Sequence, residues 1–205
     1  MDRVIPYVGS PPTPEAAVWG NGGHLIKSHE RFSRTGGQGR HRFIYLVRDG
    51  RDVAVSYFFF CRRHGTWAGS FDDFLDAFLD GRLDGYGAWQ DHVEGWLGTG
   101  ADRSDHILLR YEDLHADASG ELERCAAFLG TTLDEGRRER ALAAGSADRM
   151  RDAERRSDRK VADPSIPNVR ATKSSGWRDH FGPEQLAEFR RRGGRAFELA
   201  GYGPD

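Results

Sequence analysis

Arg48 and Ser56 stand eight positions apart, across a junction between two kinds of sequence. Before the junction, Phe43-Ile44-Tyr45-Leu46-Val47 is an unbroken apolar run of β-type residues; after the polar stretch Arg48-Asp49-Gly50-Arg51-Asp52 the chain is apolar again, broken by Ser56. A strand that turns sharply into a helix presents unpaired backbone N–H groups and the positive end of the helix dipole, a setting that suits an oxyanion. Arg48 at the strand's end adds a forked donor matched to phosphate. Ser56 adds a hydroxyl about two turns along. Two local alternatives stay open at this point: Arg48 pairs with Asp52 or caps the turn, and Ser56 bonds back to its own helix.

The elements that must hold these residues are legible in outline. Phe43–Val47 reads as a parallel strand covered on both faces, because it shows no alternation. A helix is expected from about Asp49 to Arg62. "SFDDFLDAFLDGRL" places Phe71, Phe74, Leu75, Phe78 and Leu79 at helical spacing behind Ser70 as N-cap. "YGAWQDHVEGWL" puts Trp89, Val93, Trp96 and Leu97 on one helical face. "HILLRYEDL" reads as a strand from His106 running into a turn, and "ASGELERCAAFLG" as a helix ended by Gly130. "HLIKSH", 24 to 29, is a short strand candidate. Residues 134 to 163 are dense in Arg, Asp and Glu and read as a solvated helix followed by a loop. "FGPEQLAEFRRRGGRAFELAGYG" predicts one or two last helices with Pro183 near the start. Strands alternating with helices place the chain in the α/β class around a parallel sheet.

Composition narrows the function. At 205 residues the chain is long enough for one domain, 1–205, with its own core. A hydrophobic fraction of 38% and a charged fraction of 30% fit an ordinary soluble protein. No apolar run approaches the ~20 residues of a membrane span, and the first residues carry no secretory pattern, so a cytoplasmic location is the default expectation. A net charge of −2 argues against a nucleic-acid partner. The two cysteines, Cys61 and Cys125, lack metal spacing and read as buried free thiols. No H-E-x-x-H or Cys/His cluster suggests a metal, and no G-x-x-x-x-G-K-[ST] or G-x-G-x-x-G is present. The basic residues are nearly all arginine, with Lys27, Lys160 and Lys173 the three lysines, a bias that suggests a GC-rich bacterial gene.

"RFIYLVRDGRDVAVSYFFF" closely resembles the 3′-phosphate-binding segment of the cytosolic-type sulfotransferases, which use 3′-phosphoadenosine 5′-phosphosulfate (PAPS). Further segments match in the family's order: "LIKSH", the helical pair from Gly69 to Leu97, "LLRYEDL", and "NVRATKSSGWRDHFGPEQ". The resemblance spans roughly residues 2 to 200 and implies an α/β fold related to the P-loop nucleotide kinases. It also implies roles. Arg48 and Ser56 hold the cofactor's 3′-phosphate, Arg170 clamps it from the other side with Thr172 nearby, and Tyr111 meets the adenosine. His29 takes the catalytic-base position, deprotonating an acceptor hydroxyl or amine. Lys27, two residues earlier on the same strand face, steadies charge on the transferring group. Tyr7 and Phe60 fall where the family lines its pocket for a small-molecule acceptor, though both could equally be core; Trp177 is expected to pack. A homodimer is left open.

The resemblance also has gaps. The family's opening loop, like P-K-S-G-T-T-W, which cradles the 5′-phosphosulfate and supplies a lysine, has no counterpart in these residues. Ala147 stands in the place of an aromatic that meets adenine, and Ala171-Thr172 replaces a basic-Gly pair. The expectation is that the chain as written starts after that loop, through a wrong gene start, as a remnant, or with a partner covering the gap. The leading reading is a PAPS-dependent sulfotransferase. The second is an impaired domain that binds adenosine 3′,5′-bisphosphate or a partner protein without turnover, and a nucleotide kinase of the same broad fold is a third.

Overall fold

A computed structural model describes residues 26–32, 42–98, 104–156, 160–167 and 175–203. The chain divides into two compact units, 1–37 and 38–205. In the first, the described residues 26–32 contain a single bridged position, Lys27, so the expected strand over 24–29 is reduced there to one residue. The Ser28 hydroxyl accepts a hydrogen bond from the Glu30 N–H at 2.9 Å, turning the backbone directly after that bridge.

The second unit is built on two parallel strands, β1 (Phe43–Val47) and β2 (His106–Arg110), in register from Phe43 opposite His106 to Val47 opposite Arg110. Helix α1, Gly50–His64, follows β1 after two residues. Asp49 caps it by accepting from the Arg51 N–H, and Gly65 ends it at φ 69°, a left-handed conformation that glycine adopts without a Cβ penalty. Helix α2, Phe71–Leu79, begins behind Ser70, whose hydroxyl accepts from the Asp73 N–H at 3.1 Å, as the sequence predicts. Helix α3 is Trp89–Leu97. After β2 the expected turn is instead a six-residue helix, α4, Tyr111–Ala116, followed by α5, Ala118–Phe128. The charged stretch from residue 134 forms two helices, α6 (Glu135–Ala144) and α7 (Ala147–Arg155), capped by Asp134 and Ser146. A 3₁₀ turn, Gly176–Asp179, precedes the single last helix α8, Pro183–Ala200, with Pro183 in its first turn.

The core lies where α1, α2, α3 and α8 meet. Phe74, Phe189, Leu79 and Val93 are its most completely buried large side chains. Phe189 sits among rings, 5.9 Å from Phe181, 5.4 Å from Phe197 and 6.0 Å from Trp89, so aromatic packing joins α8 to its neighbours. Gly50 opens α1 at the point of closest approach: a Cβ there would meet the Trp89 ring at 2.7 Å and Phe189 Cζ at 2.9 Å.

One expectation fails. β1 is not covered on both faces: Leu46 is 56% exposed. Phe43 meets the Trp96 ring edge-on at 5.3 Å and Tyr45 stacks on it at 5.4 Å, so α3 covers the face of Phe43, Tyr45 and Val47 and leaves that of Leu46 open. Tyr45 also bonds His92 Nδ1 through its hydroxyl at 3.0 Å, and burial raises its pKa above the ordinary phenol range. No helix among the described residues is long and apolar enough to cross a membrane.

Candidate functional site

The stretch Arg48-Asp49-Gly50-Arg51-Asp52 holds two arginines and two carboxylates, and the fold separates them into two pairs with different surroundings. Arg51 and Asp49 form the inner pair. Arg51 is 5% exposed and grips Asp49 with Nε at 3.0 Å from Oδ1 and Nη2 at 2.7 Å from Oδ2. Its guanidinium lies 4.1 Å from the Trp177 ring centre and 4.9 Å from that of Phe197, and Nη2 donates to the Gly203 carbonyl at 3.2 Å. The protein engages this cation through Nε, Nη2 and its flat faces, so Arg51 is a structural arginine joining the start of α1 to the end of α8.

Arg48, just ahead of the Asp49 cap, and Asp52, in the first turn of α1, form the outer pair. Arg48 Nη2 is 3.8 Å from Asp52 Oδ2, and the guanidinium sits 4.3 Å from the centre of the Tyr111 ring. The local alternative of an Arg48–Asp52 pairing is therefore realised, while the cap falls to Asp49. The pairing leaves capacity over: Arg48 Nε is buried and finds no hydrogen-bond acceptor among the described residues. An orphaned donor on a half-buried arginine calls for an acceptor of its own, and an oxyanion at the head of α1 would be one.

Tyr111 enters because β2 ends one residue before it, next to the end of β1 in register. Its hydroxyl lies 3.2 Å from His115 Nε2, one turn along α4. The following residue, Glu112, ties the two strand ends together: Oε1 accepts from the Asp49 N–H at 3.3 Å and Oε2 from the Tyr202 hydroxyl at 2.5 Å. Burial, then the Glu112 bond, raises the Tyr202 pKa beyond the ordinary phenol range.

Asp52 is 3% exposed. Its Oδ2 accepts from the Ser175 N–H and its Oδ1 from the Trp177 N–H, each at 2.9 Å. Burial pushes its pKa above the usual carboxylate value, against the opposing pull of these N–H groups and Arg48. Trp177 is 3% exposed, in line with its expected packing role.

The other predicted residues fall as follows. Ser56 is exposed on α1, two turns beyond the strand end, and its hydroxyl makes no bond back to the helix among the described residues. Phe60, one turn further, is 46% exposed with its ring centre 4.1 Å from that of His64 in a tilted pair, so the reading of Phe60 as core is corrected. Lys27 and His29 are exposed and belong to the first unit. Tyr7, Arg170 and Thr172 lie outside the described residues. The structure thus brings Arg48 and Tyr111 together, realises the Arg48–Asp52 pairing that the sequence left open as an alternative, and adds Glu112, which the sequence reading did not place there. The four-residue spacing of Arg48 and Asp52 was the local signal for that pair; nothing local signalled Glu112.

Among the described residues, no group of three His, Cys, Asp or Glu side chains could hold a metal ion. A groove of about 560 Å³ between α2 and the start of α8 is lined by Asp72, Asp76, Glu184 and Glu188, and contains none of the predicted residues.

Three kinds of comparison bear on this geometry. The sulfotransferase domain family matches residues 25–199. Rat sulfotransferase 1C2 is 31% identical over 159 residues, 72% of this chain and 52% of the relative. Mouse sulfotransferase 2A6 is 29% identical over 183 residues, 82% of this chain and 61% of the relative. The chain thus spans little more than half the length of these relatives. Among solved structures, mouse sulfotransferase SULT7A1 complexed with PAP superposes with a TM-score of 0.68 at 24% identity, over 85% of this chain and 68% of that one. Retinol dehydratase in complex with retinol and PAP gives 0.74 at 25% identity, over 93% and 56%.

Proposed function

The chain belongs to the sulfotransferase family, and from that premise we propose that it takes part in sulfuryl transfer from PAPS to a hydroxyl or amine of a small-molecule acceptor. One observation carries the reading: the guanidinium of Arg48, at the junction of β1 and α1, is stacked on Tyr111 with a buried Nε donor that has no acceptor among the described residues. A dianionic 3′-phosphate at the head of α1 would accept from that donor and from the first N–H groups of the helix. Ser56, exposed and free of its own backbone, supplies a hydroxyl further along the same helix. Tyr111 offers a ring edge to an adenosine while its face holds Arg48. Arg170 and Thr172 precede Ser175, whose N–H is fixed on Asp52, and Arg170 would bring the second guanidinium. These residue types fit a nucleotide 3′-phosphate. Relatives solved with PAP, and with retinol or androsterone, support the same ligand classes.

In the proposed reaction His29 takes the proton from the acceptor, whose oxygen or nitrogen forms the new bond to sulfur as the bond to the 5′-phosphate oxygen breaks. Lys27 offsets charge on the departing oxygens. Tyr7 and Phe60 line the acceptor side. The domain boundaries 1–205 and a cytoplasmic setting are part of the same proposal. The second reading is nucleotide binding without turnover.

Calorimetry with adenosine 3′,5′-bisphosphate tests the site: the protein binds and Arg48→Ala loses most of the affinity with its fold intact. Equal affinity in the two proteins would remove the phosphate site. A sulfate-transfer assay with phenol, steroid and sugar acceptors then separates enzyme from binder, and turnover unchanged in His29→Ala would remove histidine as the base.

A further inference from the structure

Asp52 is an expensive residue for its place. A carboxylate at 3% exposure must be charge-paired or well hydrogen-bonded to remain ionised. Its principal partners are not side chains. The N–H groups of Ser175 and Trp177, two residues apart, converge on its two oxygens at 2.9 Å each. Alternating N–H groups around a left-handed residue form a concave nest for an anion, and Ser175 is that residue, with φ 66° and ψ 24°. It is the only non-glycine with positive φ among the described residues. A left-handed conformation at a non-glycine is disfavoured and persists where the surroundings over-determine it; here the Asp52 carboxylate does so.

The nest fixes the carboxylate, and the carboxylate then faces Arg48. Oδ2, the oxygen that accepts from Ser175, is also the one 3.8 Å from Arg48 Nη2. Tyr111 limits the guanidinium on its flat side at 4.3 Å. Between them, Asp52 and Tyr111 restrict the plane and rotation of a fork that would otherwise swing on a flexible stem, and Nε is left as the donor without an acceptor. We propose that Asp52 is a positioning residue for the donor nucleotide: held in the Ser175–Trp177 nest, it orients Arg48 toward the 3′-phosphate and ties Ser175 and Trp177 to the same helix turn. The inference rests on the proposed phosphate site at Arg48.

A double-mutant cycle read by calorimetry with adenosine 3′,5′-bisphosphate, alongside thermal melts, tests it. Asp52→Asn keeps the volume but puts an NH₂ where an N–H or a guanidinium must be received. It raises Kd about tenfold in the parent protein, in the range of coupling for groups in one ion-pair network. In the Arg48→Ala background the same change leaves Kd within about twofold while still lowering the melting temperature through the lost Ser175 and Trp177 bonds. A merely structural aspartate would weaken binding equally in both backgrounds, and that result overturns the role of Asp52 while leaving the phosphate site standing. Should Arg48→Ala itself bind as the parent does, both fall. If Asp52→Asn does not fold, Asp52→Glu, which keeps the charge and displaces it by one methylene, carries the same cycle with the same outcomes.

Discussion

Removing Arg51 should cripple the fold, and removing its partner as well should restore most of it. The Arg51 and Asp49 side chains are 6% and 10% exposed and are joined by two short bonds. Truncating one member of such a pair strands the other charge in a dry site, which costs about 3–5 kcal/mol, whereas replacing both with neutral groups is often close to neutral. For a chain of this size each kcal/mol lowers the melting temperature by about 2–4 °C, so Arg51→Met should lower it by about 6–20 °C. Methionine keeps an apolar stem against Trp177 and Phe197, so the loss reports the stranded Asp49 carboxylate and the vacated Gly203 carbonyl. Asp49→Asn retains a cap for the Arg51 N–H, since asparagine caps as well as aspartate. In Arg51→Met/Asp49→Asn more than half of the loss should return. The assay is thermal and urea unfolding followed by circular dichroism for the parent, both single variants and the double. A double variant as unstable as the sum of the singles, or an Arg51→Met protein that melts with the parent, would refute the assignment of Arg51 to structure.

Three further expectations can be tested in the same preparations. Gly50→Ala drives a methyl to 2.7 Å from the Trp89 ring; such overpacking costs about 1–3 kcal/mol, and because the displaced turn bears Arg48, affinity for adenosine 3′,5′-bisphosphate should fall with it, as calorimetry would report. Tyr111→Ala removes the face that holds the Arg48 guanidinium, a contact of about 0.5–2 kcal/mol, and should weaken the same ligand roughly 2- to 30-fold with a smaller change in melting temperature. Hydrogen bonds from Arg192 and Arg82 hold the Asp80 pKa below its ordinary value, and one from Arg191 does so for Glu188. A carboxyl depressed in the folded state contributes stability above its unfolded pKa and loses it as pH falls through the folded one. Melts taken in acid from about pH 5 downward should therefore show a decline that Asp80→Asn makes shallower, and an unchanged slope would count against it.

Much of the scaffold was legible because its signals are local. Ser70 before an apolar period, Pro183 at a first turn and Gly130 after a last one are read within a few residues, and each marks an observed boundary. Leu46 misled because an unbroken apolar run does not say which face a neighbouring helix will take; Trp96 of α3 took the face of Tyr45. The candidate site was half legible. Arg48 stood out by its place at a strand end, but Arg-Asp-Gly-Arg-Asp is nearly symmetrical as a string, and nothing in it says which arginine turns inward. That choice is made by Gly203 and Trp177, which meet Arg51, and by Ser175, which meets Asp52 across 123 positions. Glu112 lay unnoticed for the same reason: its partners, Asp49 and Tyr202, are 63 and 90 positions away.

The bonds from Arg51 to Gly203 and from Tyr202 to Val47 span 152 and 155 positions. A growing polypeptide therefore exposes the arginine-bearing loop long before its lock has been made. At ordinary elongation speeds of about 5–20 residues per second, that interval is roughly 8–30 s. Until Ser175, Trp177 and then Gly203 have been made, the loop lacks the partners that turn Arg51 inward and hold Asp52. The inward seat of Arg51 is thus fixed only after Gly203 has been synthesised, and a ribosome stalled a few codons short of it would display the two paired strands with that seat unmade.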